Sequence, residues 1–282
     1  MKANIFDIQR ASTVDGPGIR TTVFFKGCNL RCKWCHNPES QSAKRQMLIY
    51  TSKCTGCGKC VEKCEIGCAM PYEKEKCTFC GKCELFCPYD VRKICGEEKD
   101  HDEIVNIFCR DKAFYDNSGG GVTFSGGECM LQADALCELL EKCKACGIHT
   151  AVDTAGCVAW ECFEKVLPYT DLFLYDIKCF DEKLHIEGTG VSNKKILENF
   201  KKLCDTAAEI IVRIPVICGF NTSDTEMKAI AEFISSCKKD VKIELLPYHK
   251  MGEHKYDACG IAGGSYKVPS DKDMERFRAY FN

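Results

Sequence analysis

Cys28, Cys32 and Cys35 fall within eight residues of one another, in the segment GCNLRCKWCHNPES (27–40), with the spacing C-x3-C-x2-C. Three thiolates so spaced can grip an iron–sulfur cube, one sulfur to each of three irons. A [4Fe–4S] cube is saturated by four ligands, so three leave one iron open, much as catalytic zinc sites keep one position open. An open iron is a place where a small molecule can bind. The fourth ligand is then not supplied by the protein.

A second cysteine-rich region follows. Residues 54–64 read CTGCGKCVEKC and residues 77–88 read CTFCGKCELFCP, each C-x2-C-x2-C-x3-C. Two such runs in tandem carry the spacing of bacterial two-cluster ferredoxins. The short gaps let three thiolates wrap one cube while the fourth reaches the other. Cys54, Cys57, Cys60 and Cys87 are therefore expected to hold one cluster, and Cys77, Cys80, Cys83 and Cys64 the other. A pair of zinc knuckles is the alternative, but zinc takes four ligands per ion and seldom uses this repeated octet. The first run continues as CEIGC without the usual proline, so Cys68 competes with Cys64. Cys64 is kept because it preserves the x3 gap.

Composition narrows the class. The chain has 282 residues, 45% hydrophobic and 28% charged, with a net charge of -2 from 39 basic and 41 acidic residues. That balance argues against a nucleic-acid or polybasic membrane partner. MKANIFDIQRAS at the start lacks the apolar stretch of a signal peptide, and no run of 18 apolar residues suggests a membrane helix. Cysteine is the outlier, at 25 residues. Disulfide scaffolds are short secreted chains with weak cores, whereas these cysteines cluster at metal-ligand spacings. A reduced, cytoplasmic setting with iron–sulfur clusters is expected.

The elements that must position these groups alternate along the chain. Six β-rich runs recur: TTVFFKG (21–27), GVTFSGG (121–127), HTAVDTAG (149–156), LFLYDIK (172–178), IIVRIPVI (210–217) and KIELLPYH (242–249). Helical periodicity marks LQADALCELLEKCKACGI, SNKKILENFKKLC and SDTEMKAIAEFISSCKK between them. Strand–helix alternation predicts a parallel sheet with right-handed crossovers, an α/β barrel or open sheet of about six strands. Chemistry-bearing residues recur at the strand ends. Cys28 follows the first strand and Glu128 the second. Asp153 and Thr154 end the third, Asp176 and Lys178 the fourth. Arg213 lies in the fifth, and His249 ends the sixth. Strand C-termini form one face of an α/β barrel, and that face carries its chemistry. Residues 50–96 are expected to form a small inserted domain stapled by its clusters, with residues 1–49 and 97–282 making the barrel.

At this point the chain resembles a known family. CNLRCKWC has the form of the radical S-adenosylmethionine (radical SAM) motif. TVDGPGIRTTVFFKGCNLRCKWCHNPES, SGGGVTFSGGE, VDTAG, YDIK, VRIPVICGFN and ELLPYHKMGEHKY are similar, in order, to segments of the activating enzymes of glycyl radical enzymes. The resemblance implies a partial (β/α)6 TIM-type barrel carrying a small α+β ferredoxin-like insert. It implies that the open iron is chelated by SAM, and that reductive cleavage gives methionine and a 5′-deoxyadenosyl radical. That radical takes a hydrogen from a glycine of a partner, a glycyl radical enzyme. By the same resemblance Cys28, Cys32 and Cys35 ligate the catalytic cluster. Gly126, Gly127 and Glu128 meet the SAM amino group. Asp153, Thr154 and Asp176 match a monovalent-cation site, and Lys178, Arg213 and His249 match SAM-contacting positions. Asp15 stands near the substrate glycine, and it and Lys178 are the catalytic candidates. Three [4Fe–4S] clusters, SAM, a monovalent cation and an electron donor such as flavodoxin or ferredoxin complete the expectation. One departure is Cys129, where the family pattern has proline or alanine.

Two other readings compete. A peptide-modifying radical SAM enzyme of the anaerobic sulfatase-maturing kind carries its extra cysteines mainly after the barrel, whereas here they sit between the first two strands. A plain electron carrier explains residues 54–87 but not the three-cysteine loop or the GGE segment. Cys143 and Cys146 read as core thiols on a helix, and EKEK (73–76) as a solvated turn. Trp34 and His36 read as surroundings of the catalytic cluster.

Overall fold

The computed structural model describes residues 1–281. The first half of the chain forms β1 (Lys2–Ser12), β2 (Arg20–Phe25), β3 (Gln46–Ile49), α1 (Lys59–Glu62), α2 (Lys82–Leu85), β4 (Arg92–Cys95), β5 (Glu97–Asp100), α3 (His101–Ser118), β6 (Gly121–Gly126) and α4 (Ala133–Ala145). The second half forms β7 (Thr150–Thr154), α5 (Trp160–Val166), β8 (Leu172–Asp176), α6 (Glu182–Thr189), α7 (Lys194–Cys204), β9 (Glu209–Val216), α8 (Asp224–Ser236), β10 (Lys242–Pro247), α9 (Glu253–Cys259) and α10 (Asp271–Arg278).

Eight strands make one sheet in the order β10-β9-β8-β7-β6-β2-β1-β5. β2 and β6 through β10 run parallel. β1 pairs antiparallel with β2 on one side and β5 on the other. β5 and β10 end the sheet without pairing to each other, so the barrel is partial. The six parallel strands are the six runs seen in the sequence.

Strand alternation divides each strand between two faces. Val23, Phe25, Val122, Phe124, Val152, Phe173, Tyr175, Val212 and Ile214 are buried against the helices in the main core. Phe124 sits edge-on between Phe25 and Phe108 at centroid distances of 6.2 and 6.1 Å. Ala151, Leu172, Leu174 and Ile211 form a separate small cluster on the other face. The next residue of that inward face, two along the strand, is charged in three cases. Ala151 is followed by Asp153, Leu174 by Asp176, and Ile211 by Arg213. The barrel interior is thus apolar in its lower layer and charged at the strand C-termini.

Among the elements that the sequence reading did not name, three shape the sheet's edge. β1 alternates buried Ala3 and Ile5 with polar residues and lies antiparallel to the sheet, so it has no continuous apolar run. β5 (EEKD) holds no apolar residue and is fixed by its pairing with β1. The 18-residue α3 begins inside a polar stretch expected to be a border. Asp100 caps it by accepting from Asp102 N, and Gly119 ends it in the left-handed conformation.

The insert grows from the antiparallel β3–β4 pair, in register from Gln46↔Cys95 to Ile49↔Arg92. Its two cysteine runs wind alike. Gly56 and Phe79 share a positive φ (72° and 55°), and so do Gly58 and Gly81 (75° and 80°), each of the latter capping α1 or α2. Few of its side chains are buried; Cys68 and Ala69 are among them.

Arg20 plugs the barrel floor. It is 0% exposed. Its Nε donates to Thr123 Oγ1 at 2.7 Å, its Nη2 to Val122 O at 2.6 Å and its Nη1 to Pro17 O at 3.2 Å. Thr123 Oγ1 in turn donates to Asp15 O at 2.6 Å. The guanidinium therefore anchors the loop that carries Asp15, although burial lowers its pKa to about 10. Replacing Arg20 with Met removes the donors of two buried acceptors, Thr123 Oγ1 and Val122 O, each costing about 1–3 kcal/mol if left unpaired. We expect Arg20→Met to lower unfolding free energy by about 3 kcal/mol in anaerobic urea titrations. A change within about 0.5 kcal/mol, the scale of an ordinary surface substitution, would contradict the anchoring role.

Candidate active site

One cavity of about 500 Å³ opens at the C-terminal ends of the parallel strands. That volume suits a small-molecule ligand. Asp15, Cys28, Cys32 and Cys35 line it, together with Gly126, Gly127, Asp153, Thr154, Asp176, Lys178, Arg213 and His249. Of the barrel residues singled out in the sequence, only Glu128 stands outside this lining.

The cysteine loop is held by backbone contacts from several directions. Gly27 N donates to Ser40 O at 2.7 Å and Cys28 N to Gln41 O at 3.3 Å. Arg31 N and Lys33 N donate to Thr189 O and Gly188 O at the end of α6. Trp34, 6% exposed, packs on Phe220 and Tyr266 at centroid distances of 4.3 and 6.2 Å. This aromatic wall keeps water from one side of the loop. Burial pushes the Cys28 and Cys32 thiols up to about 12 and raises Cys35 as well. A bound metal must therefore displace their protons.

Two glycines make the other wall. Gly127 N donates to Phe25 O at 2.8 Å, and Glu128 N donates to Gly27 O at 2.9 Å. A Cβ on Gly126 would lie 2.4 Å from Phe25 N, and one on Gly127 would lie 2.2 Å from Gly27 O. No side chain fits at either position, so strand end and cysteine loop meet backbone to backbone.

Four charges alternate in the cavity. Lys178 Nζ lies 2.7 Å from Asp176 Oδ2, and Arg213 Nη1 lies 3.4 Å from Asp153 Oδ2. Ser125 Oγ donates to Asp153 Oδ2 at 2.6 Å, a contact the sequence did not signal. Burial opposes the Lys178 charge, but Asp176 and Cys32 carry its pKa above the ordinary lysine value. Burial likewise opposes Arg213, and Asp153 and Asp176 outweigh it. Asp176 Oδ1 and Arg213 Nε and Nη1 are buried without a hydrogen-bond partner. A spare anionic acceptor and spare cationic donors at one cavity fit a ligand bearing both an amino group and a carboxylate, as SAM does.

Glu128 lies behind the glycine wall, 1% exposed. Its Oε1 accepts from Thr154 Oγ1 at 2.7 Å and Met130 N at 3.3 Å, and its Oε2 from Ala155 N at 3.0 Å. It braces the ends of β6 and β7. Thr154 lines the cavity, with its hydroxyl committed to Glu128. On the floor side of the cavity, Asp15 Oδ2 accepts from Ser12 Oγ at 2.6 Å and Thr22 Oγ1 at 2.7 Å. His249 stacks on His36 at 3.8 Å between ring centroids, and burial followed by the His249 field lowers His36 to about 4. His36 thus supports His249 as well as bordering the cluster loop. Nothing in the linear pattern joins two histidines so far apart in the chain.

A second cavity lies in the insert. Its wall carries Cys64, Cys68, Cys77, Cys80 and Cys83, with Tyr72 and Arg92. Arg92 Nη1 and Tyr72 OH are buried there without a partner. An anionic, thiolate-ligated cluster fits that wall, since hydrogen bonds to its sulfurs would employ both groups. Cys54 and Cys57 are exposed, Cys60 and Cys87 are half-buried, and none of the four lines either cavity. Among the described residues no three His, Cys, Asp or Glu side chains converge on a single metal ion, as a zinc knuckle requires. A cube differs in that each thiolate takes its own iron.

Comparison with known proteins agrees with this geometry. The family model of the radical SAM superfamily matches residues 70–234, a span that excludes the three-cysteine loop. Full-length relatives include that loop. The trans-4-hydroxy-L-proline dehydratase activating enzyme of Clostridioides difficile is 42% identical, covering 100% of this chain and 96% of that protein. The choline trimethylamine-lyase activating enzyme of Oleidesulfovibrio alaskensis is 41% identical over 99% of this chain and 94% of that protein. The 4-hydroxyphenylacetate decarboxylase activating enzyme of Clostridioides difficile strain 630 is 41% identical, over 92% and 86%. A crystallised domain of a pyruvate-formate lyase-activating enzyme from Bacteroides vulgatus superposes with a TM-score of 0.50 at 31% identity, covering 57% of this chain and 92% of that one. A radical SAM methyltransferase from Sphaerobacter thermophilus shares the fold, with a TM-score of 0.57 at 13% identity over 99% of this chain and 70% of that one.

The position of Glu128 predicts a pH effect. Burial, opposed by the Thr154 hydrogen bond, raises its pKa from 4.5 to about 7. The folded chain then holds more protons than the unfolded chain between those values. Stability contributed at low pH is lost as pH rises through that window, by about 3 kcal/mol in all. Histidines of lowered pKa, such as His36, act in the opposite sense, so the comparison must be with Glu128→Gln. In urea titrations of SAM-free protein at about pH 5 and about pH 8, the wild type should lose more stability with rising pH than the variant does. Equal pH responses would show that Glu128 is ionised throughout.

Proposed function

We propose that this chain, which belongs to the radical SAM superfamily and within it to the activating enzymes of glycyl radical enzymes, uses the cavity at its strand ends to install a radical on a glycine of a partner enzyme. The observation that carries the reading is the meeting, in one cavity, of three thiols with unpartnered groups of both charges. Cys28, Cys32 and Cys35 would hold the catalytic [4Fe–4S] cluster. When bound, that cluster and SAM supply a strong one-electron reductant and a source of the 5′-deoxyadenosyl radical that takes the glycine hydrogen.

The chain's own residues bind, orient and shield. The backbone of Gly126 and Gly127 lets a ligand approach closely. Arg213 would meet the SAM carboxylate through the donors it leaves free. Asp153, Thr154 and Asp176 would favour a monovalent cation beside that carboxylate, the two acids supplying negative charge and Thr154 a hydroxyl oxygen. Lys178, held ionised by Asp176, offsets the negative charge of the thiolates. His249, braced by His36, would contact SAM from the opposite rim. Trp34 and its aromatic neighbours exclude water from the reactive species.

The partner comes to the side of the cavity where the β1–β2 loop stands. Asp15, fixed by Ser12 and Thr22, is placed to accept from a backbone amide of an entering glycine loop. Val14 beside it is 77% exposed, ready for contact. The unclosed sheet between β5 and β10 supports access for a loop of a folded protein. The relatives serve a dehydratase, a lyase and a decarboxylase at 42%, 41% and 41% identity, so the partner is assigned by class as a glycyl radical enzyme. The insert would hold two further [4Fe–4S] clusters, one on Cys54, Cys57, Cys60 and Cys87 and the other on Cys77, Cys80, Cys83 and Cys64. Electrons from a flavodoxin or ferredoxin would pass through them.

The cavity reading makes a binding prediction. Asp176→Ala removes a charged hydrogen-bond acceptor worth about 1.5–3 kcal/mol, so SAM affinity should fall by at least about tenfold. Iron content should be unchanged. Unaltered SAM binding in an anaerobic titration would count against the assignment of this cavity.

The reaction itself tests the function. Reduced protein, SAM and a glycyl radical enzyme from the same genome, mixed without oxygen, should give a glycine-centred doublet by electron paramagnetic resonance, with 5′-deoxyadenosine in step. Asp15→Asn should slow the doublet by up to about a hundredfold, because a misplaced reacting centre costs about that much. Uncoupled SAM cleavage should change far less. Equal slowing of both would remove Asp15 from substrate positioning, and the absence of a doublet with any cognate partner would overturn the reading.

A further inference from the structure

The cavity in the insert offers one thiol more than a cube takes. Cys77, Cys80 and Cys83 come from the second run, and both Cys64 and Cys68 face them from the first. The Cys64 and Cys68 sulfurs are 3.7 Å apart, within reach of a shared S–H···S hydrogen bond. Cys68 also lies against Cys77, while Cys83 feels Cys64 as well as Cys77 and Cys80. The turn that joins the pair explains their closeness. Gly67 N donates to Cys64 O at 3.0 Å, and Gly67 takes a φ of +72°, which folds Cys68 back beside Cys64. The two thiols differ in setting, for Cys68 is 3% exposed and Cys64 is half-buried.

We propose that Cys64 and Cys68 are interchangeable fourth ligands of the cluster held by Cys77, Cys80 and Cys83. The inference rests on the reading that the insert binds two [4Fe–4S] clusters. Spacing alone favours Cys64, burial favours Cys68, and the cavity admits either. Exchange needs no oxidant or reductant. One iron–thiolate bond forms as the other breaks, and the proton of the incoming thiol passes to the departing thiolate across the existing contact. The thiol that is not bound donates its S–H to the ligating sulfur. The two states therefore place the ligating sulfur at different depths, and solvent exposure and hydrogen bonds to sulfur both set a cluster's potential.

The test is iron stoichiometry of the full chain after anaerobic reconstitution, read with the spectrum of the reduced clusters. Wild type should hold about twelve irons. Cys64→Ala and Cys68→Ala should each keep about twelve, with a changed signal from the second cluster. The double variant should drop to about eight and lose that signal. Circular dichroism of the double variant should match wild type, which separates loss of a ligand from loss of fold. A single variant that falls to about eight irons would overturn the exchange by naming one fixed ligand, and so would a double variant that keeps about twelve. Wild type holding only about four irons would instead overturn the two-cluster reading beneath it.

Discussion

No side chain separates the end of β6 from the loop that carries the three cysteines. Gly127 N meets Phe25 O at 2.8 Å and Glu128 N meets Gly27 O at 2.9 Å. Both contacts exist only because positions 126 and 127 carry no Cβ. The rest of the site depends on this approach. It sets the depth of the cysteine loop against the sheet, and so the distance between the thiols and the charges on β7, β8 and β9. A wider spacing would leave the thiols and the charged layer in separate cavities. Glu128 completes the brace from behind, by tying the residues after the glycines to the end of β7.

The charged layer carries its own constraint. Two carboxylates and two cations are held in a space that burial would otherwise make hostile to each of them. Each cation has an acid beside it, and in the pairs Lys178–Asp176 and Arg213–Asp153 the acids offset burial and keep the lysine and arginine charged. The pairing is incomplete, since Asp176 Oδ1 and the Nε and Nη1 of Arg213 make no hydrogen bond, although Nη1 lies 3.4 Å from Asp153. That remainder is what gives the cavity an appetite for a zwitterion. A fully satisfied network would be more stable and would bind nothing.

Much of this was legible in the sequence, for a definite physical reason. The inward face of a parallel strand repeats every second residue, so an acid or arginine at the end of an apolar run must point into the barrel mouth. Asp153, Asp176 and Arg213 follow that rule, and the three-cysteine loop announces itself by spacing. Where the signal depends on pairing rather than on pattern, the sequence was silent. β5 has no apolar residue and exists because β1 binds it. The stacking of His36 on His249 joins residues distant in the chain. Glu128 is expected at the SAM amino group from the resemblance of SGGE to a family segment, and the linear pattern does not show that its carboxylate bonds Thr154, Met130 and Ala155. The long α3 was hidden because its cap and first turn are as polar as a loop.

The insert and the barrel are stabilised by different means, and one buried lysine joins them. The barrel has a large helix-packed core, whereas the cysteine runs have little apolar burial and must draw order from what they bind. Their stem, β3–β4, packs on α9 and ends at Cys95, which is buried beside Lys26 at 3.7 Å. Lys26 Nζ donates to Glu39 O at 2.6 Å, inside the segment that closes the three-cysteine loop. Lys255 on α9 holds the Glu39 carboxylate at 2.8 Å and Asn37 Oδ1 at 2.9 Å. A tilt of the stem would therefore be felt at Glu39 as well as in β5, which begins two residues after Cys95. With clusters held in the insert as proposed, order in the segment next to this stem would reach the three-cysteine loop through Lys26.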